Sequence, residues 1–123
     1  MQVDEIRKYC LAKRYVTEDM PFGQDTLVFR IGGKMFLLTN LSSEVTSVNL
    51  KCDPVRAIEL RDQYESIRPG YHMNKKHWNT VVSDDSIPRK LLLELIDHSY
   101  ELVLKSLSNK DRQNLRTSDE QGS

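Results

Sequence analysis

The sequence predicts a single α+β domain with its elements in the order α-β-β-β-α-β-β-α. Three observations carry that reading. Apolar residues recur at helical spacing near both ends of the chain. Between those ends they alternate at strand spacing. Glycine, proline and aspartate separate the alternating stretches.

The 123 residues suffice for one domain with one core. Charged residues make up 29%, ordinary for a soluble protein. No apolar run approaches the roughly 20 residues of a membrane helix, and no signal segment opens the chain. The expected setting is therefore the cytoplasm, with no membrane partner. Cys10 and Cys52 are too few and too far apart for a disulfide framework, and are expected as buried thiols. Formal charge is zero, from 18 basic and 18 acidic residues. Nucleic-acid binders usually carry a basic excess, so any such binding here has to rest on a local patch. Residues 51–82 hold six Lys/Arg against four Asp/Glu, whereas residues 83–123 hold six against eight.

Val3, Ile6 and Cys10 place residues 3–13 on an amphipathic helix, with Asp4 and Glu5 in its first turn and Lys13 and Arg14 at its end, as the helix dipole favours. Residues 15–24 read as an ordered loop, stopped by Pro21 and Gly23, with Phe22 expected to plug a gap in the core rather than to stack on a ligand. Residues 25–31 and 34–40 flank Gly32-Gly33 and predict a two-residue hairpin. Its register sets Ile31 against Lys34, Phe29 against Phe36 and Leu27 against Leu38. One face then carries Leu27, Phe29, Ile31, Phe36 and Leu38 and is expected to pack on helices. The other carries Val28, Arg30, Met35 and Leu37, a semi-apolar face suited to being covered or to binding something.

In residues 46–52, Val48, Leu50 and Cys52 alternate with Ser47, Asn49 and Lys51. Asp53-Pro54 starts a helix to about Tyr64, with Ala57, Ile58, Leu60 and Tyr64 expected to pack. Residues 67–71 form a short strand interrupted by Pro69, hence an edge strand or a kinked one. Residues 77–83 form the last strand. A helix begins near Ile87-Pro88 and reaches about Leu107, with Leu92, Ile96, Ser99, Val103 and Leu107 as its stripe. His98 lies near the Leu91, Leu95 and Leu102 side and is expected as a hydrogen-bonded, partly buried histidine. The domain is thus assigned to residues 1–107, and residues 108–123 read as a disordered tail.

One stretch stands out as a candidate working surface. Residues 69–82 hold the only tryptophan, two of the three histidines and the only Lys-Lys pair. Alternation places Lys76, Trp78, Thr80 and Val82 on one side, with Trp78 and Val82 toward the core, and Lys75, His77, Asn79 and Val81 on the other. Lys75 and Lys76 suit phosphate contacts, His72, Asn74, His77 and Asn79 suit hydrogen bonds, and Tyr71 or Trp78 suits stacking. No Walker loop, dinucleotide-binding glycine pattern or zinc spacing is present, so neither a metal nor another cofactor is expected.

Several segments together resemble the YjbR/MmcQ family of small bacterial proteins. They are Glu18-Asp-Met-Pro-Phe-Gly23, Phe29-Arg-Ile-Gly-Gly-Lys-Met-Phe36, Asn49-Leu-Lys-Cys-Asp-Pro54, Gly70-Tyr-His-Met-Asn-Lys-Lys-His-Trp-Asn79 and Leu95-Ile-Asp-His-Ser-Tyr-Glu-Leu102. The resemblance covers about residues 1–107. It implies a two-layer fold similar to the secretion-chaperone-like class, with a mostly antiparallel five-stranded sheet packed with helices. It also implies DNA binding, the label the family commonly bears, and brings no catalytic residues. The expected protein is a monomeric, non-enzymatic DNA- or other nucleic-acid-binding protein that uses residues 71–79. The rival is a protein- or peptide-binding adaptor that uses the semi-apolar face.

Overall fold

A computed structural model describes residues 1–71 and 73–122. The elements are α1 (Val3–Leu11), β1 (Val16–Asp19), β2 (Thr26–Ile31), β3 (Lys34–Asn40), β4 (Ser47–Lys51), α2 (Pro54–Gln63), β5 (Ile67–Pro69), β6 (Trp78–Val82), α3 (Arg89–Ser106) and α4 (Asn109–Gly122). The strands form one antiparallel sheet in the order β1-β2-β3-β4-β6-β5. Ile6 and Cys10 of α1, Ala57 and Leu60 of α2, and Leu92, Ile96 and Val103 of α3 pack with Phe29, Leu37, Leu50 and Val81 of the sheet. This is the expected two-layer α+β arrangement, with six strands where five were expected.

The extra strand is β1, within residues expected as loop. Its single apolar residue, Val16, gives almost no alternation signal, and Pro21 and Gly23 follow closely. Charge pairs hold it at the sheet edge. Arg7 grips Glu18, with Nε donating at 2.8 Å, and Arg30 Nε donates to Asp19 at 3.0 Å. Of the two alternatives for the Pro69 strand, edge or kinked, β5 takes the opposite edge of the sheet.

The hairpin keeps its predicted register at the turn, Ile31 against Lys34, and then departs from it. A bulge between Phe29 and Arg30 sets Arg30 against Met35 but Phe29 against Leu37 and Val28 against Leu38. Phe36 is the extra residue. Leu37 therefore joins the helix-side core, and Leu38 moves to the opposite face, the reverse of the expected assignment. Ser99 of α3 serves the backbone at this irregularity. Its buried hydroxyl donates to the Phe36 carbonyl and accepts from the Lys51 amide at 2.9 Å. That role explains a serine within an otherwise apolar stripe.

Asp53 caps α2, accepting from the Val55 and Arg56 amides at 3.1 Å. Ala57 and Leu60 turn inward, but Ile58 is 58% exposed, contrary to expectation, because it lies a third of a turn off that stripe. Gly32, with φ +59°, sits so close to Leu107 that a Cβ would meet its methyl carbons at 2.8 Å, so the hairpin turn packs on the end of α3. The segment expected as a disordered tail is helical here, as α4. The Ser108 hydroxyl accepts from the Asp111 amide at 3.1 Å, and Leu115 packs against the core.

Candidate functional site

After β5, residues 73–77 form a tight, braced turn. Gly70 is buried ahead of it, and a Cβ there would stand 2.9 Å from Trp78 Cβ. Asn74 builds the turn. Its side-chain oxygen accepts from the Lys76 amide at 2.9 Å and the His77 amide at 3.3 Å, and its carbonyl accepts from the Trp78 amide at 2.9 Å. Arg61 of α2 reaches beneath the loop. Its guanidinium donates to Asn79 Oδ1 at 2.6 Å, to the Lys75 carbonyl, and to the Trp78 carbonyl at 3.3 Å.

These contacts sort the sequence-predicted site residues. Lys75 and Lys76 are exposed on the turn, and His77 is half-buried beside them. Tyr71 is 71% exposed. His72 lies outside the described residues. Asn74 is occupied with the turn. Asn79, expected to face outward, is only 1% exposed and points into the helix layer toward Arg61. The strand phase is thus the reverse of the one predicted. Asn79 pairs with Leu50 on the core side, and Trp78 pairs with Lys51 on the other. Trp78 is half-buried over Gly70 and does not belong to the helix-side core. The apolar weight of tryptophan suggested the opposite phase, but Arg61 makes the inward asparagine tolerable by satisfying its oxygen.

The sheet face away from α1, α2 and α3 forms a groove of about 710 Å³. Its floor is Met35, Leu38, Asn49 and Thr80. Phe22, from the β1–β2 connection, stands at one bank, and Tyr71, Met73 and Arg68, around the β5–β6 connection, stand at the other. Phe22 is 63% exposed, so it does not plug the core as expected. Thr80 and Asn49 are joined across the floor, the threonine hydroxyl donating at 2.6 Å, and the Tyr71 amide donates to the same hydroxyl at 3.0 Å. Among the described residues, no Asp or Glu lines the groove.

Shifted titrations lie elsewhere. His98 accepts from the Asp53 amide at 3.1 Å, and burial, assisted by Arg56, pushes its imidazole below the ordinary range. Asp84 is held low by hydrogen bonds from Ser86. Cys10 is buried, which pushes its thiol up to about 12. Among the described residues, no three His, Cys, Asp or Glu side chains converge to hold a metal ion, and no helix is long and apolar enough to cross a membrane.

Asn49, Arg68 and the bracing Arg61 were not among the predicted site residues, and for Phe22 the sequence favoured a core role over ligand stacking. The semi-apolar alternation of β3 was the signal for the groove. Nothing local in the sequence pointed to Arg61.

Fold and site together define a small α+β domain whose antiparallel sheet is roofed by helices on one face and open on the other. The chain belongs to the YjbR family, whose pattern matches residues 11–102. It is 40% identical over 110 residues to the uncharacterised protein YbdF of Escherichia coli O157:H7, spanning 89% of this chain and 90% of that one. It is 30% identical over 112 residues to the uncharacterised protein YjbR of Escherichia coli K12, spanning 91% and 95%. Among solved structures, a Deinococcus radiodurans protein with a DUF419 domain matches with a TM-score of 0.87 at 41% identity, over 93% of this chain and 87% of that one. A Pseudomonas syringae protein matches at 0.73 and 29% identity, over 84% of this chain and 99% of that one.

Proposed function

We propose that this protein is a non-enzymatic nucleic-acid-binding protein. The observation that carries the reading is the exposed Lys75-Lys76 pair on a turn braced by Asn74 and Arg61, beside a groove without a lining carboxylate. A rigid turn presents two cations to a phosphate chain at little entropic cost. The groove floor supplies contact-making side chains, Met35, Leu38, Asn49 and Thr80. The two buried free thiols suit a reducing, cytoplasmic setting. With zero net charge on the chain, few phosphates are engaged, so affinity is modest and falls steeply with salt.

The apolar part of the groove floor favours a second reading, a peptide-binding adaptor. Titration with duplex DNA, single-stranded DNA and RNA at two salt concentrations separates the two. Salt-sensitive binding to at least one of them is expected. No binding to any of them at low salt rejects the nucleic-acid reading and moves the adaptor ahead.

A further inference from the structure

The lysine pair accounts for phosphate contact but gives no role to the aromatic residues on the groove's banks. We infer that the groove takes the unstacked bases of a single-stranded nucleic acid. This rests on the nucleic-acid reading above and adds the strand state of the ligand.

Size comes first. From β2 to β6 the groove crosses three strand spacings, about 14 Å. Its volume of about 710 Å³ lies within the range of small-ligand sites and suits one or two nucleosides. Chemistry comes next. Phe22 and Tyr71 are 63% and 71% exposed at opposite banks. Between them lie apolar Met35 and Leu38 and polar Asn49 and Thr80. An unpaired base has an aromatic face and a polar edge, and this surface offers a partner for each. A duplex hides its base faces and is read by a protruding helix or ribbon, whereas this surface is recessed. Charge supplies the third argument. Arg68 lines the groove and Lys75 and Lys76 share the Tyr71 loop, while none of the chain's 18 acidic residues is among the described lining residues. That bias favours a polyanion over an apolar peptide.

The test uses fluorescence anisotropy on the full chain with three labelled probes: a short oligo(dT), an abasic oligomer of equal length, and a duplex. Oligo(dT) is expected to bind about tenfold or more tighter than either of the others. Phe22→Ala, at an exposed position that keeps the fold intact, is expected to weaken oligo(dT) binding by about 5- to 150-fold, with the salt slope unchanged and abasic binding unaffected. Equal binding of the abasic oligomer or the duplex, or an unaltered Phe22→Ala variant, overturns the single-strand assignment and leaves the nucleic-acid reading standing. Preference for an extended peptide of alternating leucine and serine over oligo(dT) also overturns the single-strand assignment, and moves the adaptor ahead of the nucleic-acid reading. Failure of all three nucleic-acid probes overturns both.

Discussion

Ser99 shows how one side chain holds a local irregularity together. It is fully buried and joins the Phe36 carbonyl to the Lys51 amide, where the β3 bulge breaks the ladder. Ser99→Ala leaves both backbone groups buried without a partner. It is expected to cost about 1–3 kcal/mol, read by urea denaturation; an unchanged midpoint would show that the bridge is dispensable. His98 gives a pH prediction. Burial lowers its folded-state pKa, so the unfolded chain binds the proton more tightly. Its contribution is present above the unfolded value of about 6.5 and is lost as pH falls from there toward the folded value. Wild type is therefore expected to lose more stability than His98→Gln between about pH 7.5 and about pH 5.5. Equal losses contradict this. Single residues were also where the sequence misled. Trp78 and Asn79 exchange faces because Arg61, 18 positions from Asn79, satisfies the buried carboxamide. No local pattern encodes that partner.

At the scale of elements, the loop between β5 and β6 makes the strongest claim. Arg61 touches none of the proposed ligand but holds the loop through Lys75 and Trp78 carbonyls. Arg61→Ala is expected to speed amide hydrogen exchange across residues 74–78 and to weaken oligonucleotide binding. Arg61→Lys is expected not to restore either, since an ammonium cannot match the forked guanidinium. Exchange as slow in Arg61→Ala as in wild type would show that the guanidinium does not brace the loop. Replacing Lys75 and Lys76 by alanine is expected to lower the salt slope by roughly 1.4–1.8, from about 0.7–0.9 per phosphate contact, without a change in melting temperature. Most elements were legible in the sequence because each had its own signal. Gly32-Gly33 marked the hairpin, Asp53-Pro54 marked the start of α2, and Pro69 marked a strand that is either kinked or at an edge. The groove was half legible. The semi-apolar face of β3 was read, but the bulge that puts Leu38 on it in place of Leu37 was not, since a bulge is settled by tertiary contacts such as Ser99. β1 escaped because its position depends on Arg7 and Arg30, not on an apolar pattern.

The whole molecule is a helix layer over a sheet with α4 appended. Arg112 of α4 donates to the Leu104 and Lys105 carbonyls at 3.2 and 3.0 Å, so α4 caps the end of α3. Its apolar attachment is Leu115, half-buried. Deleting residues 109–123 is expected to cost about 1–2 kcal/mol and to lower the melting temperature by roughly 3–8 °C, with unfolding still cooperative. Loss of cooperative unfolding would show that residues 1–107 do not form a domain by themselves. The open face of the sheet is the proposed working surface. The most direct measurement is amide chemical-shift mapping of the full chain during titration with oligo(dT). Shifts gathered on β2, β3, β4 and β6 beside the groove and on the 71–77 loop, with α1 and the outer face of α3 silent, are the predicted result. Shifts centred on the helix layer, or none at saturating oligonucleotide, contradict it.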